Sequence, residues 1–243
     1  AGTALVPGLE VLPPGRIQFA GAAGYHAGSF QDGSPEYYPG VIQLRVGLPA
    51  HLELGALVGG QLYDDPEFHR YYASVGLVHR SLRATVGPFS SRAGIGLRGT
   101  LSDSNQEAPT DRPDPFGASS GVALSFPVEI GHGAVYLRAA PEFGSAYPRP
   151  SYVPDDADAL LLFFAARVAL AVDVGYLNAA LSWTWRSNLQ EDPFARALPD
   201  TLLAEFQLLI PGTVVFVHAA AGLDYMPGKD HAALASAGLG VLY

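Results

Sequence analysis

Residues 41–58 read VIQLRVGLPAHLELGALV, and their parity decides the fold. Ile42, Leu44, Val46 and Leu48 fall on one phase, with Gln43 and Arg45 on the other. After Pro49 and Ala50 the pattern resumes, with Leu52, Leu54, Ala56, Val58 and Leu62 opposing Glu53, Gln61 and Tyr63. Alternation with period two puts successive side chains on opposite faces of a strand, whereas a helical face repeats roughly every 3.6 residues. The stretch is therefore two strands joined by a tight turn.

The same reading extends in both directions. Towards the N-terminus, Ile17, Phe19, Ala23 and Tyr25 oppose Arg16, Gln18 and His26. Towards the C-terminus, Tyr71, Ala73, Val75 and Leu77 oppose Arg70, Tyr72, Ser74 and Arg80; Val122, Leu124, Phe126 and Val128 oppose Ser125 and Glu129; Val135, Leu137, Ala139 and Phe143 oppose Tyr136, Arg138 and Glu142. Leu177, Leu181, Trp183 and Trp185 oppose Asn178, Thr184 and Arg186. Leu202, Phe206 and Leu208 then oppose Glu205 and Gln207, Val215, Val217 and Leu223 oppose His218 and Asp224, and Leu239, Val241 and Tyr243 oppose Ser236 and Gly238. Between Leu82 and Leu101 the parity slips: Leu82, Ala84 and Val86 share one phase against Arg83, but Ile95, Leu97 and Leu101 share the other against Arg98. A slip of one residue exchanges the faces, which predicts a bulge or kink near Gly87 and Pro88. Ala159–Val172 also suits a buried helix, and the flanking hairpins are what favour a strand there.

Composition narrows the class. The chain has 243 residues, no Cys, one Met, 28 Gly and 20 Pro, and is 49% hydrophobic but only 15% charged, against about 25% charged in an average globular domain. Disorder and coiled coil are excluded, and without Cys so are disulfide scaffolds, thiolate metal sites and thiol catalysis. A net charge of −9 argues against a nucleic-acid partner, which calls for basic patches. The apolar stretch Ala159–Val172 is interrupted by Arg167 and falls short of the roughly 20 residues a spanning helix needs. The opening AGTALVPG reads as an exported chain already cleaved after a small residue.

About twelve strands of near bilayer-crossing length result, since a tilted strand needs about 9–11 residues to span. Their connections sort into two kinds. Short turns are expected at Pro49–Ala50, His79–Ser81, Gly131–Gly133, Asp173–Gly175 and Pro211–Gly212; longer stretches rich in Pro, Asp, Ser and Gly fill Gly28–Glu36, Ser102–Ala118, Ser145–Asp158 and Ser187–Pro199. With these features the chain resembles bacterial outer-membrane β-barrel proteins over Arg16–Tyr243. Leu239, Val241 and Tyr243 are similar to the C-terminal signal such proteins present to the barrel assembly machinery. The resemblance implies an all-β, closed, antiparallel up-and-down transmembrane barrel of about 12 strands at residues 16–243, monomeric, in the outer membrane, with both termini periplasmic. Pro13, Pro14 and Gly15 mark its start, and residues 1–15 form a periplasmic strap or partial plug. Phe19, Tyr25, Tyr71, Phe126, Phe143, Trp183, Trp185, Tyr225 and Tyr243 then face outward, where aromatics favour the headgroup level.

Function is argued from the other phase. Arg16, Arg45, Arg80, Arg83, Arg98, Arg138, Arg167 and Arg186 all fall on the polar parity, and a guanidinium on the lipid face would cost about 2–4 kcal/mol near the midplane. They are expected to line the pore with Glu53, Glu142, Glu205, His218 and Asp224. Two readings compete. If the arginines form an open ladder, the barrel passes small anionic solutes, as the narrow monomeric channels for acidic sugars do, which it resembles only at the level of fold. If Glu53, Glu129, Glu142, Asp173, Glu205 and Asp224 pair with them, the lumen is a salt-bridged plug and the barrel is structural, or binds a partner through its strap or long loops.

The long loops carry acidic residues such as Asp32, Asp64, Asp65, Glu67, Asp111, Asp114, Asp155, Asp156 and Asp158. These suit a solvated rim, or calcium bridging to lipopolysaccharide phosphates. A third reading is an outer-membrane hydrolase. Its candidates are His26 with Ser29, or Asp64, Asp65 and His69 facing Asp230 and His231, but none matches the spacing of barrel phospholipases or proteases. No cofactor is expected, and no His pair has spacing that converges on a metal.

Overall fold

The computed structural model describes residues 12–27, 36–63, 69–104, 119–148, 160–189, 200–225 and 231–243. They form strands β1 (Ile17–Ala27), β2 (Tyr37–Leu48), β3 (Leu52–Tyr63), β4 (His69–Val86), β5 (Phe89–Ser104), β6 (Ser119–Ser125) and β7 (Val128–His132), then β8 (Val135–Pro148), β9 (Leu161–Asp173), β10 (Leu177–Asn188), β11 (Asp200–Leu209), β12 (Val215–Tyr225) and β13 (Ala232–Leu242). Each pairs antiparallel with its neighbours, and β1 returns to β13 from Gln18 opposite Leu242 to Ala27 opposite Ala233. The result is a closed 12-strand antiparallel barrel. Closure pairs the backbone around the whole circumference, which is the condition for a sheet to stand in hydrocarbon.

Thirteen segments make twelve staves because β6 and β7 are one stave broken at Pro127. Both pair with β5 on one side and β8 on the other, in unchanged register: Ser125 faces Glu142 and Val128 faces Ala139. Pro127 has no N–H to donate. Its carbonyl still accepts from Gly94 at 2.9 Å, and the Phe126 N–H donates to the Pro141 carbonyl at 2.9 Å, so the ladder loses little.

The exterior is apolar. Val75, Leu101, Leu170, Leu181 and Leu239 are each more than half exposed, and the nine aromatics expected outside are all exposed. Such a surface is stable only against lipid or a partner. The Ala159–Val172 stretch, which also suited a helix, is a strand from Leu161, paired with β8 and β10.

One expectation is corrected. The turn placed at His79–Ser81 is a bulge within β4, where the register shifts between His79 and Leu82; the hairpin turn lies at Gly87 and Pro88, where a bulge was expected. Two parity changes coincide here. The bulge moves the outward phase from odd residues (Leu77, His79) to even ones (Leu82, Val86). A two-residue turn with Gly87 at φ +59 then pairs Val86 with Phe89 and moves it back to odd residues. Gly87 supplies the left-handed φ that tight hairpins require. Beyond Arg80, whose N–H donates to the His51 carbonyl, β4 continues past the end of β3.

The described turns, at 49–51, 87–88, 133–134, 174–176 and 211–214, all lie at one end of the barrel. Most of the four long connections, the acidic loop residues from Asp32 to Asp158 named above, Ser29 and Asp230 lie outside the described residues. So does the strap up to residue 11.

Candidate functional site in the barrel lumen

The inward phase brings charged side chains from distant strands into layers. At the short-turn end, Arg45 on β2 faces Gln18 on β1 and sits one strand from Glu53 on β3. Its Nε and Nη2 donate to Glu53 Oε1 and Oε2, both at 2.8 Å, and Nη1 donates to Gln18 Oε1 at 2.6 Å. All three residues are buried. The planar guanidinium fork matches a carboxylate bidentately, and such pairing keeps a buried charge from being prohibitively costly. Glu53 Oε2 also accepts the backbone N–H of Leu12 at 3.1 Å. Leu12 reaches it because the chain reverses at Pro13–Arg16: the Arg16 N–H donates to the Pro13 carbonyl, and Gly15 takes φ +81. A Cβ at Gly47 would overlap the Leu12 and Pro13 carbonyls, so a glycine there lets the incoming segment lie against the wall.

Beside the 133–134 turn, Arg138 Nε donates to Glu129 Oε2 at 2.7 Å and Arg92 Nη1 lies 3.8 Å from Glu129 Oε1, so two arginines share one carboxylate. Arg138 also lies over the Tyr136 ring, 5.5 Å from its centroid, a favourable cation–π placement. Arg98 Nη2 donates to Glu142 Oε1 at 2.5 Å, and here the side chains remain 46% and 20% exposed. Arg167 pairs with Glu205 and donates to Ser182 Oγ at 2.9 Å.

Towards the long-loop end, Asp224 accepts from Thr201 Oγ1 at 2.5 Å and from His26 Nε2 at 3.2 Å. Arg186 Nη1 donates to the same Thr201 oxygen at 2.8 Å, and the His26 ring stacks on Tyr37 with centroids 4.3 Å apart.

The thirteen residues expected to line the pore are therefore distributed as follows. Arg45, Glu53, Arg80, Arg138, His218 and Asp224 are buried, Glu142, Arg167, Arg186 and Glu205 are half-buried, and Arg98 is exposed. Arg83, opposite Arg92 beyond the bulge, and Arg16, just before β1, are exposed at the short-turn end. Leu239, Val241 and Tyr243 lie on the outer phase of the last strand, where the Tyr243 N–H donates to the Ile17 carbonyl at 2.8 Å. Of the hydrolase candidates, His26 is engaged by Asp224, and His231 lies 5.1 Å from the Tyr225 ring. Among the described residues no group of three or more His, Asp or Glu is placed to hold a metal.

One set of residues escaped the sequence reading. Tyr72, Tyr136, Phe163, Phe216 and His218 all point inward, and each stands directly opposite a glycine in register: Gly59, Gly131, Gly144, Gly240 and Gly238. A Cβ built on any of these glycines would overlap the facing ring. Each ring thus lies down across the neighbouring strand, covering the backbone a glycine leaves bare. The signal is in the sequence, but only once the register is known.

No protein-family model matches the chain, and no curated protein does. Its fold is shared with solved structures. It is similar to the COG4313 outer membrane channel from Pseudomonas putida F1, with TM-score 0.64 and 12% identity over 98% of this chain and 100% of that one. It is also similar to outer membrane phospholipase A from Escherichia coli, with TM-score 0.52 and 10% identity over 94% and 97%. At such identities the likeness is one of fold: a transmembrane β-barrel of the outer-membrane type.

Proposed function

We propose that the chain is an outer-membrane channel for passive passage of small polar solutes, with a preference for anions. The carrying observation is the set of five inward rings laid flat over glycines. Side chains of that size standing upright would fill the core of a narrow barrel, whereas lying against the wall they take up less of its cross-section. The architecture shared with a known channel supports the reading. The charge balance supports the anion preference. Arg45, Arg92, Arg98, Arg138 and Arg167 are matched by Glu53, Glu129, Glu142 and Glu205, with one carboxylate serving two arginines. A guanidinium stays charged at any working pH, so the second positive charge beside the shared Glu129 carboxylate is permanent. Outer-membrane lipid, lipopolysaccharide at the long loops, and the barrel assembly machinery acting on Leu239, Val241 and Tyr243 are the partners this proposal carries, with the termini in the periplasm.

The test is single-channel recording in planar bilayers under a KCl gradient. Resolved current with a reversal potential on the anion side is expected, moving towards zero in Arg98→Ala. Absence of current, or cation preference, rejects the proposal.

A second reading is favoured by Leu12, which enters the lumen and bonds Glu53. In that reading the barrel is structural, with its lumen closed by ion pairs. It predicts silence that persists after residues 1–15 are deleted, whereas a channel plugged by its strap gains conductance.

A further inference from the structure

At the short-turn end lies a cavity of about 200 Å³, lined from β1, β2, β9–β13 and the incoming Leu12. We propose that this cavity binds a neutral polyhydroxylated molecule of monosaccharide or polyol size.

Three observations converge. First, the ionised groups at the wall are already engaged. Arg45 is held by Glu53 and Gln18, and Asp173 accepts from the Gly175 N–H at 3.0 Å and from Asn178 Nδ2 at 3.4 Å. Arg45 is thus already neutralised by Glu53, and the Asp173 carboxylate, held by neutral donors alone, turns an anion away. Second, besides Tyr176 the remaining polar side chains are amides. Asn178 and Gln207 stand opposite one another on β10 and β11, and Gln18 spends its carbonyl on Arg45, leaving its NH₂ to donate. No described residue bonds the Gln207 side chain. An amide offers donor and acceptor side by side, and a hydroxyl group, which both donates and accepts, answers both. Third, Phe216, Leu209 and Leu242 give the same cavity an apolar lining that suits the C–H face of a sugar ring. Drug-sized pockets begin near 300 Å³, so only a small ligand fits.

The proposal rests on the channel reading and adds to its small polar solutes a neutral class held at this one cavity, apart from the anion preference, and it is tested without conduction. The folded barrel, in a detergent lacking a sugar headgroup, is titrated by calorimetry with glucose, arabinose and myo-inositol, and with gluconate as the charged counterpart. Saturable heat is expected for at least one neutral compound and weaker heat for gluconate. Affinity should fall about tenfold or more in Gln207→Leu and Asn178→Leu, the scale of losing one hydrogen bond with its partner left unpaired. Gln207→Glu, which keeps the shape and one acceptor, should recover part of the loss and guards against a folding defect. No heat with any compound, tighter binding of gluconate, or unchanged affinity in both leucine variants overturns the site. A silent bilayer with normal calorimetry overturns the channel and leaves the site standing.

Discussion

Arg45–Glu53 and Arg98–Glu142 are the same pair of residue types, both in the barrel interior, yet their surroundings differ. The first has side chains only 6% exposed on both sides and holds a second donor, Leu12, on the same carboxylate. The second leaves its guanidinium 46% exposed. Burial decides what each pair can do. A buried pair has lost its hydration and must be fully partnered, so it works as a fastener, whereas an exposed pair keeps its water and stays free to meet a passing ion. The wall is thus graded, from a buried pair at the short-turn end to a hydrated one at Arg98.

The largest effect should come from unfastening the first pair. Glu53→Ala leaves Arg45 and the Leu12 N–H without their acceptor, and the expected cost is about 3–5 kcal/mol. It is read as a lower midpoint in heat-modifiability on a detergent gel. Replacing both partners at once, with Arg45→Met and Glu53→Leu, should restore most of that loss, because two apolar groups leave no orphaned charge. If single and double variants melt alike, the contrast with Arg98–Glu142 is lost.

The next effect tests what keeps the wall thin. Gly144→Ala sets a methyl group where the Phe163 ring lies and should cost about 1–3 kcal/mol as the ring is displaced. The displaced ring turns towards the axis, so unitary conductance should fall in the same variant. Unaltered conductance would mean that the rings do not define the bore.

A smaller change is expected at the β2–β3 turn, where Ala50 and His51 take φ of +60 and +57. Such values strain residues bearing a Cβ, so Ala50→Gly should raise stability by about 1 kcal/mol without altering the lumen. The measurement is the same gel midpoint, with conductance as the control.

Much of this was legible beforehand, for identifiable reasons. Period-two parity assigns a face from sequence alone, so the outward leucines and inward arginines needed no coordinates. Register did not follow from parity, and three findings depend on it. The bulge after His79 and the turn at Gly87–Pro88 both change parity, so a reading by phase registers a slip without locating it. The ring-on-glycine contacts join Phe163 to Gly144 and Phe216 to Gly240 across strand neighbours, and offset by one residue the pairs vanish. The choice of partner for each arginine depends on register too: Glu129 serves Arg138 and Arg92 because it stands directly opposite both, between β5 and β8. Leu12 against Glu53 was out of reach of periodicity because the segment that carries it is not a strand.

The smallest energetic effect is the most informative functionally. Arg98→Ala removes an ion pair that water already screens, so the stability change should lie within about 1 kcal/mol. Its charge, however, is exposed, and in the proposed channel a fixed cation beside the path raises the local concentration of anions. The variant should therefore melt normally and lose anion preference, while Glu142→Gln, which frees Arg98 from its partner, should strengthen that preference. Recording both under gradients at 0.1 M and 1 M KCl adds an internal control, since the Debye length shortens from about 10 Å to about 3 Å and the two variants should converge at high salt. Opposite shifts that collapse with salt locate selectivity at this pair; equal selectivity in both variants would move it to another layer of the wall.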